Sequence, residues 1–118
     1  MPGQKVLTLI EEVLFTGPEA SEVVRVKCDT GAKRTSIDIQ LAERLGCGDP
    51  VDEVSVKASN GCEERPVHRV TVRVDGDVYD VEISVTDRSS MTYEAILGRD
   101  VLGGYLIDPS EPSEITLV

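Results

Sequence analysis

Asp29-Thr30-Gly31 stands where a run of alternating apolar residues, Val24, Val26 and Cys28, comes to a stop within the stretch VKCDTGAKRTSID. A carboxylate set on a glycine-tight turn at a strand end is a candidate for acid–base chemistry. At average residue frequencies Asp-Thr-Gly arises in roughly one chain in forty of this length, so the tripeptide alone decides little. Its context adds weight: Ala32 follows directly, and Ile96-Leu97-Gly98-Arg99-Asp100 answers it late in the chain. By itself, the Ala-Ile-Leu-Gly stretch reads as a plain strand end. Two other reactive types are available. Cys28 precedes Asp29, but no base is recognisable for it and buried cysteine is common, so a structural role is expected. His68 is the single histidine and falls in phase with Val70, Val72 and Val74, which reads as a packed or rim side chain rather than a metal ligand.

The elements that must position these residues can be read from periodicity. Residues 4–15 have strand composition, and Gly17-Pro18 marks a turn. Residues 22–28 alternate Val24, Val26 and Cys28 against Arg25 and Lys27, the pattern of a half-buried strand that delivers Asp29. Ser36 is the expected N-cap of a helix carrying Ile37, Leu41 and Leu45 at fourfold spacing, closed by Gly46. Residues 54–57 and 67–74 read as strands around Asn60-Gly61, a strong hairpin-tip signal. Val70, Val72 and Val74, then Tyr79, Val81, Ile83 and Val85, flank Asp75-Gly76-Asp77 as a second hairpin. Residues 95–97 form a short apolar run, RDVLGGY suits a turn of helix, and SEITLV has strand composition without an obvious partner in the chain.

With 118 residues, no linker and no repeat, one domain over 1–118 is expected. Apolar content is dominated by Val, Leu and Ile with three Tyr, one Phe and no Trp, which favours an all-β fold. Acidic residues outnumber basic ones 22 to 12, a net charge of −10, without any Lys/Arg stripe, so nucleic acid is excluded as a partner. The acids are spread along the chain, as in a soluble acidic protein or one adapted to high salt. Three cysteines without C-x-x-C spacing argue for reduced thiols and against both a disulfide framework and a four-cysteine zinc site. No leader pattern and no run of 18 apolar residues occur, so a cytoplasmic location without membrane contact is expected.

Together, DTGA and the later ILG resemble the half-site motifs of retropepsin-like aspartic proteases. More closely, DTGAKRTS with DRSSMTYEAILGRDVL resembles the group associated with RimK-type glutamate ligases, often labelled "ATP-dependent zinc proteases", over about Val23 to Leu102. The resemblance implies a closed acid-protease barrel with one or two short helices, serving as the half-site protomer of a homodimer. Peptide hydrolysis without a metal or covalent intermediate needs one carboxylate to take a proton from water and another carboxyl to donate one. One motif per chain then implies a twofold dimer in which two copies of Asp29 meet and share a proton, as carboxylates about 3 Å apart do.

The same resemblance assigns Thr30, Gly31 and Ala32 to bracing the catalytic loop, with Ile96 and Leu97 packed beneath it and Gly98 and Arg99 supporting it. Ser59, Asn60 and Gly61 would form a flap over a peptide or protein substrate, although an ordinary surface hairpin explains them as well. The terminal segments QKVLTL and EITLV would pair with those of the mate. Lys33 stands where retroviral members carry an acid that pairs with the later Arg, so Arg99 needs another partner; the RimK-associated group shows the same Lys. Lys33 and Arg34 suit an acidic substrate, and a RimK-type ligase is a possible associate. Neither H-E-x-x-H nor a glycine-rich phosphate loop occurs, so no zinc, ATP or other cofactor is expected. The alternative is a retropepsin-fold binding or assembly module without turnover.

Overall fold

Alternation in the sequence becomes inside and outside in the structure, a computed structural model that describes residues 5–58 and 61–110. Its elements are β1 (Val6–Thr8), β2 (Ile10–Thr16), β3 (Ser21–Cys28), β4 (Ser36–Asp38), α1 (Ile39–Leu45) and β5 (Asp52–Ala58). After these come β6 (Gly61–Val74), β7 (Asp77–Thr86), β8 (Ala95–Leu97), α2 (Arg99–Leu102) and β9 (Leu106–Asp108). On β3, Val24, Val26 and Cys28 are buried while Arg25 and Lys27 face solvent. The second hairpin forms as the pattern requires: Asp75 and Gly76 both take positive φ, 51° and 82°, the backbone of a two-residue turn matched to strand twist.

Hydrogen-bonded neighbours run β2-β3-β8-β4-β7-β6, and β6 returns to β2 through Leu14↔Arg73, Phe15↔Val72 and Thr16↔Thr71. Six strands therefore close into a barrel, and β5 hangs outside as an extra strand on β6. The interior is filled by Val13, Phe15, Val26, Ile37, Val72, Ile83 and Leu97, all fully buried. Two short helices complete the all-β architecture. Leu41, Ala42 and Leu45 dock α1 on the core. Arg44 in its last turn is held at 2.7 Å by Glu22 on β3 and at 2.9 Å by Glu94.

Three expectations shift. The stretch expected as one strand over 4–15 breaks at Leu9, because Glu11 turns back to accept from the Thr8 N–H at 2.7 Å while the Thr8 hydroxyl donates to the Ile10 carbonyl. The detached piece, β1, runs parallel to β9 of the same chain, Val6↔Leu106 to Thr8↔Asp108, a strand that periodicity did not reveal. Ser36 is not the helix cap: Ser36–Asp38 is a strand wedged between β8 and β7, and the Asp38 side chain caps α1 by accepting from the Gln40 N–H at 2.9 Å. Residues 1–4, Ser59, Asn60 and 111–118 lie outside the described residues, and with them most of the proposed flap tip and the EITLV segment. Among the described residues no helix is long and apolar enough to cross a membrane.

Candidate active site

Asp29 is the first residue beyond β3 and is part-exposed. Its N–H donates to the Leu97 carbonyl at 2.9 Å, so the ladder between β3 and β8 sets its height above the barrel. The chain turns at once: the Ala32 N–H returns to the Asp29 carbonyl at 3.1 Å, and the Gly31 N–H donates to Asp29 Oδ1 at 3.0 Å, orienting the carboxylate from its own loop.

The second motif grips this turn from behind. The Arg99 N–H donates to the Ala32 carbonyl at 2.8 Å, and the Arg99 guanidinium donates to the Thr30 carbonyl at 2.9 Å. A backbone carbonyl, rather than an acid four residues after Asp29, thus takes up Arg99, and Lys33 is left exposed. Gly98 packs against the main chain of Arg34: a Cβ there would stand 2.5 Å from the Arg34 carbonyl carbon and 2.7 Å from its oxygen. Leu97 lies fully buried beneath the loop, and Ile96, half-buried, joins β8 to β3 and β4. The Thr30 side chain is exposed, and its hydroxyl makes no hydrogen bond among the described residues. Of the proposed flap residues only Gly61 is described; it pairs with Ala58 at the far end of the β5–β6 hairpin, with φ +124°, and shares no hydrogen bond with the Asp29 loop.

Two supporting features were missed, the Thr35–Asp100 pair and Arg88. Thr35, completely buried, donates its N–H and hydroxyl to the Asp100 carboxylate at 2.9 and 2.8 Å, and its hydroxyl oxygen accepts from the Gly98 N–H at 3.1 Å. This clamp ties the Asp-Thr-Gly segment to the Gly-Arg-Asp segment; both residues sit inside the motifs, yet a contact spanning 65 positions has no periodic signature. Arg88 is the other. It lies close enough to Asp29, Asp38 and Arg65 to interact electrostatically with all three; burial and Arg65 lower its pKa, while Asp29 and Asp38 oppose the shift.

Cys28 fits a structural role: it is buried, and desolvation with nearby Glu11 pushes its thiol up to about 11, away from nucleophilic thiolate. His68 is packed on β6, and burial lowers its pKa.

A closed six-strand barrel presenting Asp-Thr-Gly on a loop gripped by a Gly-Arg segment defines a retropepsin-like fold. Residues 20–104 match the family model described as "gag-polyprotein putative aspartyl protease", and the chain belongs to that family. Among solved structures it is similar to EIAV protease in complex with the inhibitor HBY-793, with TM-score 0.65 and 24% identity over 80% of this chain and 84% of that one. It is also similar to the Legionella pneumophila protein of unknown function Lpg0085, with TM-score 0.64 and 19% identity over 91% and 95% of the two chains. Simian foamy virus protease gives 0.58 and 18% over 80% and 91%. At these identities the likeness concerns fold alone. Probable alpha-L-glutamate ligases of Shewanella pealeana and Shewanella halifaxensis are 40% and 38% identical over 63 residues. That stretch is 52% of this chain but 14% of each ligase.

Proposed function

We propose that the chain is a homodimeric aspartic peptidase in which Asp29 of each protomer meets its mate across a twofold axis, with a water between the two carboxyls. One carboxylate accepts a proton from the water as it attacks the scissile carbonyl, while the other carboxyl donates its proton to the carbonyl oxygen; as the C–N bond breaks, the first passes the proton it took from water to the leaving amine and the second takes one back from the tetrahedral hydroxyl. The observation that carries this reading is the fixing of Asp29: a part-exposed carboxylate on a turn held by Leu97, Gly31 and Arg99 leaves little reorganisation for the reaction to require. The unbonded Thr30 hydroxyl is free to reach across the dimer, and the β5–β6 hairpin is the element to close over substrate.

Family membership supports peptidase chemistry, and the partial likeness to glutamate ligases supports a functional association with such an enzyme. The substrate class is peptide, with acidic sequences favoured, and no cofactor takes part. The chain works as one retropepsin-like unit in the cytoplasm.

Wild type and Asp29→Asn, offered a diverse peptide mixture and sized by light scattering, provide the test. The expected result is cleavage by a dimeric wild type that falls at least about a thousandfold in the variant. Equal background from both proteins would instead identify a binding module, and a strictly monomeric wild type would remove the dyad.

A further inference from the structure

We propose that Arg65 and Arg88 form a cationic subsite beside Asp29 that takes a carboxylate of the bound peptide; this rests on the peptidase reading above. Arg88 is anchored through its main chain, whose N–H donates to Asp38 Oδ1 at 2.6 Å, and its Nε donates to the Tyr93 carbonyl at 3.0 Å. The two terminal nitrogens of its guanidinium make no hydrogen bond among the described residues. Asp38 makes no direct contact with them: its two oxygens accept from the main-chain N–H groups of Arg88 and Gln40, and it acts on the guanidinium only through space.

Arg65 approaches from the hairpin side. Its side chain is only 19% exposed, and one terminal nitrogen meets Glu63 at 3.2 Å. Its Nε is buried without a hydrogen-bond partner among the described residues. Glu63 is itself shared, because its other oxygen accepts from the Thr86 hydroxyl at 2.9 Å. Two guanidiniums, brought to one region by Glu63, which bridges Arg65 to Thr86, are thus left with surplus donors in a chain with net charge −10, and Asp29 is among the charges that act on Arg88. Elsewhere Arg44 and Arg69 have carboxylates at 2.7 and 2.8 Å.

The buried Arg65 Nε without an acceptor carries a standing desolvation cost, and the Arg88 terminal nitrogens, which are not buried, stand open to a ligand. A planar anion relieves it, and a carboxylate matches the fork of two guanidinium N–H groups. Arg65 belongs to the arm of β6 that projects from the barrel and Arg88 to the segment after β7, so one bound carboxylate would link the arm to the barrel within electrostatic range of Asp29. A peptide can supply that group from an acidic side chain or from its C-terminus.

The deciding experiment measures fluorescence-anisotropy binding to full-length Asp29→Asn. It uses peptides that differ only as Glu against Gln, each with a free or an amidated C-terminus. One carboxylate-bearing form is expected to bind at least about tenfold tighter than its neutral counterpart, and the gap should shrink as salt is raised. Whether the gap follows Glu or the free terminus identifies the source. Adding Arg88→Gln or Arg65→Gln should erase the gap while leaving neutral-peptide affinity in place. Adding Arg88→Glu should transfer the preference to a Lys peptide, which a merely misfolded variant would not do. Equal affinity for all four peptides, or a gap that survives both Gln substitutions together, overturns the subsite. Cleavage by wild type is scored separately: turnover without carboxylate preference sinks the subsite alone, and carboxylate-selective binding without turnover sinks the peptidase reading alone.

Discussion

The Asp29 loop and the β5–β6 hairpin lie on the same barrel and are built in opposite ways. Between residues 29 and 35 main-chain groups are tied to Leu97, Arg99 and Asp100, with a fully buried Thr35 at the back. Gly61 to Glu64, by contrast, are all exposed, and the hairpin is held chiefly by its own ladder from Asp52↔Val67 to Ala58↔Gly61. The contrast suits a division of labour: chemistry requires one geometry held tightly, whereas admission and release of substrate require an arm that can open at little cost.

Substitutions can break or sharpen this contrast. Gly98→Ala should cost the most, about 3 kcal/mol in urea unfolding, because its methyl would overlap the Arg34 main chain and neither segment has room to withdraw. Asp100→Ala should cost about 2 kcal/mol by leaving the Thr35 N–H and hydroxyl buried without their acceptor. If peptidase activity is present, it should fall further than stability alone explains, because the clamp also sets Gly98.

His68 lies where β6 leaves the exposed arm and enters the barrel. Burial lowers its pKa from 6.5, so below that pH the unfolded chain takes up a proton that the folded one resists, and stability should drop as pH falls from 7.5 to 5.5. In His68→Gln the urea midpoint should lose that part of its pH dependence. Lys57→Ala, on the exposed arm, should change stability by no more than about 0.5 kcal/mol by the same assay. A large loss there would show that the arm is part of the rigid body after all.

What could be read in the sequence follows the same divide between local and long-range order. Val24, Val26 and Cys28 gave away β3 and the position of Asp29, and Asp75-Gly76 gave away the second hairpin, because each signal lies within a few residues. Ile37 misled: its spacing to Leu41 and Leu45 fits a helix, but pairing with Val85 and Ala95 pulls it into a strand and moves the cap to Asp38. The partner of Arg99, the Thr35–Asp100 clamp and the closeness of Arg65 to Arg88 all depend on barrel closure, which brings together residues 23 to 69 positions apart.

The strand order also constrains how the molecule is made. Because β8 inserts between β3 and β4, the groove it fills must stay open, its backbone groups borrowing water, until residue 97 has left the ribosome. Nascent chains halted earlier would present a gapped sheet with two unpaired edges, an aggregation hazard that ends with the arrival of three residues, Ala95, Ile96 and Leu97.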